Sequence, residues 1–538
     1  MQGYIDYILN NAQRVLTQVD RDPDSLSFGS CDRNFWHLKI RDFSSAILQQ
    51  TSLTLALLYK YNFEGNICYN NHFVRDWSIG ALRYLSHIQL PDGSFNEYYP
   101  FEHGYPPTAF LLFSGCKTYQ ILQLQDDGIM NTLEKTGAYL SSHSETSAYN
   151  QEFASIAGLY LLYEITGKEA YHLACKTKLR YALEHQSMDG WFPEQGGADI
   201  GYSSVALDML AEYYWHSKDE TVREPINKLI SFLQYFVHPD QTIGGEYGSR
   251  NTTYLMPNGF ATMELLGNEA AAAINHFIYE KIDLHTHFMN SVDERYLSHY
   301  VLHSFLRALI KIQSCEMKSK TYQLPCFQPH YHVFEHAGLV TMCNDQYYVV
   351  CAPSKGGIFK VFDSGKEVAG DFGYRHFMKP GIISTTNWLD PEYKIEYGEN
   401  EVKITGYFTV VKQKEQNPIY HLGLVVTSFL FGKKINTFIK KILLFTKKHE
   451  QIKFIRNIKF QTDTIFVQDY FENNTGSPVV IKSASNMSLR LVASGKFFSN
   501  SDLHVHNDLL QECDKTKLFY ISIKRDESGQ FKRKSWVE

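Results

Sequence analysis

The sequence predicts a multidomain α+β protein, with a helical N-terminal part over residues 1–320 and an antiparallel β-sandwich over 321–538. Three observations predict it. Apolar residues recur at helical spacing through roughly the first 320 positions. Beyond about residue 330 they come in short β-branched or aromatic runs. Turn residues separate those runs at regular intervals.

The helical runs are Ser45–Lys60, Trp77–Gln89, Phe153–Thr166, Ser203–Trp215, Pro225–Val237 and Tyr300–Gln313, with short Gly/Pro/Asp-rich loops between them. The predicted strands are Gly338–Met342, Tyr347–Ala352, Ile358–Asp363, Val402–Val411, Leu422–Phe431, Ile452–Phe460 and Thr464–Tyr470. Asn344-Asp, Asp363-Ser-Gly, Gly398-Glu-Asn and Asn473-Asn-Thr-Gly supply the turns. The boundary falls in Lys318–Pro329, where Pro325 and Pro329 stop helical continuation.

The helical part repeats itself weakly. Gln89-Leu-Pro-Asp-Gly-Ser-Phe, Gln186-Ser-Met-Asp-Gly-Trp-Phe and Pro239-Asp-Gln-Thr-Ile-Gly-Gly each close one helix and precede another. A helix pair cannot bury its apolar face alone, so the pairs must stack or close into a ring. The Q-x-x-D-G-aromatic pattern resembles the loops of α/α toroids, which implies an incomplete barrel of helix pairs over 1–320 with a substrate cleft.

Composition narrows the function. Hydrophobic residues are 44% and charged residues 20%, which is globular rather than disordered. A net charge of −6 over 538 residues excludes a general nucleic-acid binder. No stretch of about 18 apolar residues predicts a transmembrane helix. The N-terminus has neither a basic n-region nor a long apolar h-region, so the expected location is cytoplasmic. Nine scattered cysteines without a CxxC pair fit a reducing compartment. Residues 431–460 carry nine Lys/Arg against one Glu, either a solvated strand face or a surface that attracts an anionic polymer.

Three loops concentrate polar and aromatic groups, and corresponding loops of a helical ring face one end. Convergence of Glu97, Glu102, His103, Tyr105, Asp199, Tyr202, Glu246, Tyr247, Arg250 and Tyr254 would make a cleft of carboxylates, tyrosines and one arginine. The alternative is that these residues cap helices and bond one another. In Cys31-Asp-Arg-Asn-Phe-Trp-His-Leu-Lys-Ile-Arg41, the groups Arg33, Trp36, His37, Lys39 and Arg41 can hold sugar rings and carboxylates. Alternatively, Arg33 and Arg41 pair with Asp32 and Asp42.

A helical toroid followed by a β-sandwich resembles the heparinase II/III-like polysaccharide lyases, including the alginate lyases built the same way. Three patches carry the resemblance: Ala148-Tyr-Asn-Gln-Glu-Phe, Asp189-Gly-Trp-Phe-Pro-Glu-Gln-Gly-Gly-Ala-Asp-Ile-Gly-Tyr202, and Ser354-Lys-Gly-Gly through Asp371-Phe-Gly373. The resemblance implies β-elimination on a uronic-acid-containing polysaccharide. Asn150 would neutralise the uronate carboxylate and Tyr202 would be the acid/base. Gln151 stands where the family has His, and Lys355 and Gly357 stand where the sandwich histidines would be. Gln donates a hydrogen bond but shuttles no proton. Lys355 would serve as a base only with a lowered pKa.

His336, in Gln328-Pro-His-Tyr-His-Val-Phe-Glu-His, is a further catalytic candidate reaching into the cleft. A structural divalent metal near His330, His332 or His336 is the alternative to plain junction packing; no cofactor is otherwise expected. Asp283-Leu-His-Thr-His reads as a surface turn, with metal binding through His285 and His287 as its alternative. The partner implied is an anionic polysaccharide or oligosaccharide. Other functional readings are a uronyl C5-epimerase, a glycan-binding protein, and a glycoside hydrolase pairing Glu97 or Glu102 with Asp199 or Glu246.

Overall fold

The computed structural model describes residues 1–314, 322–412, 417–432, 448–484, 497–498, 500–503, 510–527 and 529–538. The helical part contains α1 (Gln2–Leu16), α2 (Arg33–Trp36), α3 (Thr51–Lys60), α4 (His72–Ile88), α5 (Tyr105–Ile121), α6 (Asp127–Ser142), α7 (Tyr149–Thr166) and α8 (Glu169–Glu184). It continues with α9 (Ile200–Ser217), α10 (Arg223–Leu233), α11 (Pro257–Leu265), α12 (Glu269–Tyr279), α13 (Glu294–Tyr296) and α14 (Leu302–Gln313).

Burial sorts these helices into two rings. In α3, α5, α7, α9, α11 and α14 at least two thirds of the positions are buried. Such helices are surrounded on all sides. In α10 only one stripe is buried, including Ile226, Leu229, Ile230 and Leu233, and α4 behaves likewise through Val74, Ser78, Ala81, Leu82 and Leu85. The inner helices pack in the order α3, α5, α7, α9, α11, α14, and α14 returns to α3. Each has an outer partner, with α1 covering α14. The ring therefore closes, where the sequence suggested an incomplete barrel. Close approach inside it requires small residues: a Cβ on Gly158 would lie 2.8 Å from the Phe113 backbone nitrogen.

A buried ionic network locks three inner helices. Arg307 donates to both carboxylate oxygens of Asp208, at 2.7 and 3.1 Å, and lies 3.2 Å from Glu212. Lys311 donates to Glu212 at 2.7 Å, and Asn258 donates to Asp208 at 2.8 Å and Glu212 at 3.1 Å.

Two antiparallel sheets follow. The first is a meander of β1 (His330–Phe334), β2 (Leu339–Cys343), β3 (Tyr348–Ala352), β4 (Ile358–Asp363) and β5 (Lys366–Asp371). The second contains β6 (Tyr374–Lys379), β7 (Ile382–Thr385), β8 (Lys394–Gly398), β9 (Glu401–Lys412), β10 (His449–Phe460), β11 (Thr464–Asn473), β12 (Val479–Ser483), β13 (Leu510–Cys513), β14 (Thr516–Arg525) and β15 (Phe531–Val537). Its order is β13-β12-β6-β7-β9-β10-β11-β14-β15, with β8 on β9.

The first sheet is apolar on both faces. Leu339, Cys343, Tyr348 and Val350 join the core of the helical ring, while Val340, Met342, Val349 and Cys351 join the core between the sheets. It is the middle layer of the molecule. Across the inter-sheet core, Arg456 of β10 donates to Asp371 at 2.6 Å and lies 3.0 Å from Asp469. Arg533 also donates to Asp371, at 2.7 Å.

Leu422–Phe431, expected as a strand, is helical: it lies in α15 (Pro418–Phe431). Pro418 occupies the first turn, where its missing N–H costs nothing, and the Asn417 side chain accepts from the Ile419 N–H at 2.8 Å. The run has no two-residue alternation to hold it in a sheet. Of the lysine-rich stretch, residues 433–447 lie outside the described residues; on β10, Lys453 and Lys459 sit on the outer face and Arg456 is buried.

Candidate active site

The segments entering the inner helices gather at one end of the ring. Backbone bridges join them: Ala148 pairs with Glu194, and the Gln195 N–H donates to the Ser147 carbonyl at 2.6 Å. Phe101, His103, Gln195 and Asn251 all hold positive φ there, at 51–61°. Non-glycine residues rarely adopt that region unless surrounding structure holds them.

Asp199 organises the centre. It caps α9 by accepting from the Tyr202 N–H at 3.1 Å, and accepts from the Arg250 N–H at 2.9 Å and from the Thr252 hydroxyl. The sequence suggested a substrate contact here. These bonds instead make Asp199 the post that sets Tyr202 and Arg250 beside each other, with the guanidinium carbon 5.5 Å from the Tyr202 ring centre. Arg250 Nη1 lies 3.9 Å from Glu194 Oε1, and Asn150 donates its amide to the other oxygen of Glu194. Buried Asn150, Arg250 and Glu194 thus form one cluster with half-buried Tyr202.

Its electrostatics are unusual. Burial pushes the Glu194 carboxyl up to about 8, against the pull of Arg250. Burial also pushes the Tyr202 phenol up to about 12; Arg250 pulls it down, Glu194 pushes it up, and a hydrogen bond from Tyr296 favours the phenolate. Tyr254 meets the Tyr202 ring edge-on at 5.8 Å and is hydrogen-bonded to Tyr300, OH to OH, at 2.7 Å. The buried side-chain carbonyls of Gln151 and Gln195 and the Tyr149 hydroxyl make no hydrogen bond within the protein. Buried polar atoms are normally satisfied, so such atoms beside this cluster suit a ligand.

A neighbouring stretch, α13 and the π-helical turn Leu297–Val301, adds groups that the sequence reading missed. Arg295 donates to Glu97 at 2.5 Å and lies 5.0 Å from the Tyr98 ring centre. Burial, then the nearby Arg295 charge, keeps His299 neutral, and its Nε2 is buried without a partner. Its ring lies 6.1 Å from that of Tyr296. A π-helical turn frequently marks a functional segment. Glu194 was visible inside the Asp189–Tyr202 patch, but nothing in its spacing announced its burial.

Arg33 and Arg41 line a groove of about 520 Å³ together with Arg14, Arg295 and the carboxylates of Asp32, Asp293 and Glu294. Arg41 also pairs with Asp32 at 3.3 Å. Trp36 donates its indole N–H to the Gln18 carbonyl at 2.8 Å, and His37 is exposed beside it.

The other expected contacts are engaged in structure. Glu102 accepts from the backbone N–H groups of Glu97 and Tyr98, at 2.6 and 2.8 Å. His103 is bound by Asp92 at 2.6 Å; burial opposes ionisation of Asp92, but His103 and Ser94 outweigh it and hold that carboxyl at about 2. Tyr105 donates to buried Glu152, which pairs with Lys178 at 3.0 Å. Glu246 faces Lys360 at 3.3 Å, and the Tyr247 hydroxyl is bonded to His238 at 2.8 Å. Lys355, a candidate base, instead donates to the Glu246 and Gly248 carbonyls and to Asn251 Oδ1, tying sandwich to toroid.

His336 is exposed in the turn between β1 and β2. The two ring nitrogens of His330 are engaged by Thr341 and the Gln328 carbonyl, at 3.0 and 2.9 Å, and His332 stacks on Tyr235. His287 is held by the Ile278 carbonyl at 3.0 Å, and His285 is exposed. Among the described residues, the ligand-type cluster lies elsewhere, at Asp390, Glu392 and His449.

No family model and no curated protein matches the sequence. Solved structures do. The Streptomyces coelicolor A3 chondroitin AC lyase, solved in complex with chondroitin sulphate, has a TM-score of 0.57 at 10% identity, covering 99% of this chain and 78% of that one. A mutant of that lyase gives 0.52 at 11% identity, covering 99% and 76%. Heparinase III gives 0.47 at 9% identity, covering 99% and 88%. The chain has the fold of the chondroitin AC lyase, a helical toroid followed by stacked antiparallel sheets.

Proposed function

We propose that the protein is a carbohydrate-active enzyme acting on a uronic-acid-containing polysaccharide by C5 proton abstraction and β-elimination. The observation that carries the reading is the cluster of buried Asn150, Glu194 and Arg250 with half-buried Tyr202. A uronate C5 proton becomes acidic when its carboxylate is neutralised. Arg250 and the Asn150 amide supply charge and a hydrogen-bond donor for that carboxylate. Glu194, still protonated near neutrality, supplies a further O–H donor.

The Tyr202 phenolate, held by Tyr296 and Arg250, takes the C5 proton. The C4–O bond then breaks, a C4=C5 double bond forms, and the proton passes from Tyr202 to the leaving oxygen. The adjoining groove, where Arg14, Arg33, Arg41 and Arg295 stand against Asp32, Asp293 and Glu294, extends the site for a longer chain. The inner helices also turn their N-termini, and so their positive dipole ends, toward this end of the ring.

C5 epimerisation is the second reading. It needs another proton donor, and neutral His299 next to Tyr296 is the group that favours it. The hydrolase reading loses its residues, because Glu97, Glu102, Asp199 and Glu246 are each committed to a structural partner.

The test is incubation in D2O with a panel of uronate polysaccharides, read by NMR. Unsaturated chain ends are the expected result, and Tyr202→Phe abolishes them. Deuterium at C5 with intact chains would replace elimination with epimerisation. Turnover unchanged in Tyr202→Phe would refute both.

A further inference from the structure

β9 and β10 are sheet neighbours, paired from His449 with Thr409 through Lys459 with Glu401. Such hairpins usually close within about two to five residues. Here residues 413–448 intervene, and their described helix is α15. This helix carries no Lys, Arg, Asp or Glu. Leu424, Val425, Thr427 and Ser428 are partly or fully covered, while Ile419, Leu422 and Leu430 are 76%, 64% and 64% exposed. Phe429 meets Phe101 of the toroid edge-on at 5.1 Å, so the helix is fastened with its apolar side outward.

A second, independent feature shares this rim. Ile382 pairs with Lys412, which places the β6–β7 turn at the sheet end from which the insert departs. On that turn Phe377, Met378 and Lys379 are exposed, and exposed Lys412 and Lys448 flank the insert. The sequence between Gly432 and Glu450 holds six lysines and no acidic residue.

We propose that α15 and the β6–β7 turn dock the protein on the anionic surface of a lipid bilayer. An uncharged, outward-facing apolar helix with exposed Lys379, Lys412 and Lys448 along the same sheet end matches the acyl boundary and the headgroups of such a surface. Fourteen residues span about 21 Å, too short to cross a bilayer and long enough to lie along it. The helix rests on Phe101 at the same end of the ring as the acid/base cluster, and vesicle binding is read without turnover, so its outcome is independent of the reaction proposed above.

The experiment is cosedimentation of the full chain with vesicles of phosphatidylcholine alone, or with about 30% phosphatidylglycerol. Binding is expected on the anionic vesicles, at least about tenfold stronger than on neutral ones, and weakened in about 0.5 M NaCl. The triple variant Ile419→Ser, Leu422→Ser, Leu430→Ser should lose it, as should Lys379→Glu, Lys412→Glu, Lys448→Glu. All six positions are exposed, so unchanged melting temperatures verify folding, and either variant alone decides. Absence of binding to either vesicle, or binding that both folded variants retain, overturns the proposal. Self-association abolished by the serine variant, without vesicle binding, also overturns it and makes the face an interface between copies.

Discussion

A carboxyl group that keeps its proton near neutrality changes how a protein answers to pH. Glu194 is raised in the folded state to about 8 from an ordinary 4.5, so the native state holds a proton there that the unfolded chain has released. Between those values stability falls as pH rises, by up to about 1.4 kcal/mol per unit from this group. Urea midpoints of the wild type and Glu194→Gln at pH 5.5 and 8 should diverge in that direction, the glutamine variant lacking this slope. The same group shapes the proposed reaction. With Tyr202 at about 12, the phenolate fraction rises tenfold per pH unit, and above about 8 ionisation of Glu194 cancels the gain. Log kcat/KM should climb with unit slope to about pH 8 and level off, whereas in Glu194→Gln it keeps climbing from a lower start. Arg250→Met removes the cation beside the developing charge and should cost about 100-fold or more in kcat.

At the scale of elements, buried charge links neighbours that apolar packing alone leaves free to slide. Arg307 of α14 sits between Asp208 and Glu212 of α9, and its removal leaves Asp208 with only neutral donors. Arg307→Ala should lose about 3–5 kcal/mol in a denaturant titration, far beyond its apolar contribution. Gly357 shows the same crowding in the sandwich. Its φ is +74°, and a Cβ there would lie 3.0 Å from Arg456, Ile404 and Ile458. A histidine is therefore excluded at this position, and Gly357→His should lower the melting temperature. Periodicity, a local property, revealed α3, α7, α9 and α14 of the inner ring and α4 and α10 of the outer one, but not α5 or α11. It failed at Leu422–Phe431, where an apolar run without alternation is ambiguous and the cap at Asn417-Pro418 decides. Of the proposed site, Asn150 and Tyr202 were legible from the patches that carry the resemblance, and Arg250 from the polar density of its loop. The site was not legible at Arg295, Tyr296 and His299, which come to the cluster through ring closure rather than through a repeated loop.

For the whole molecule, the middle sheet governs how the parts depend on one another. Its strands β2 and β3 are buried throughout, one face against the helical ring and the other against the outer sheet. A fragment ending at residue 320 would leave uncovered the ring surface that Leu339, Tyr348 and Phe362 occupy, and should aggregate during size-exclusion chromatography. The chain order also has a consequence for synthesis. The toroid leaves the ribosome first and completes its ring, then waits with an apolar platform open for the time needed to translate β1–β5. That meander can dock as soon as it emerges, but its far side stays wet until the outer strands arrive. A chaperone that holds nascent chains would therefore have most to do late in translation, on a protein whose helical ring is already assembled.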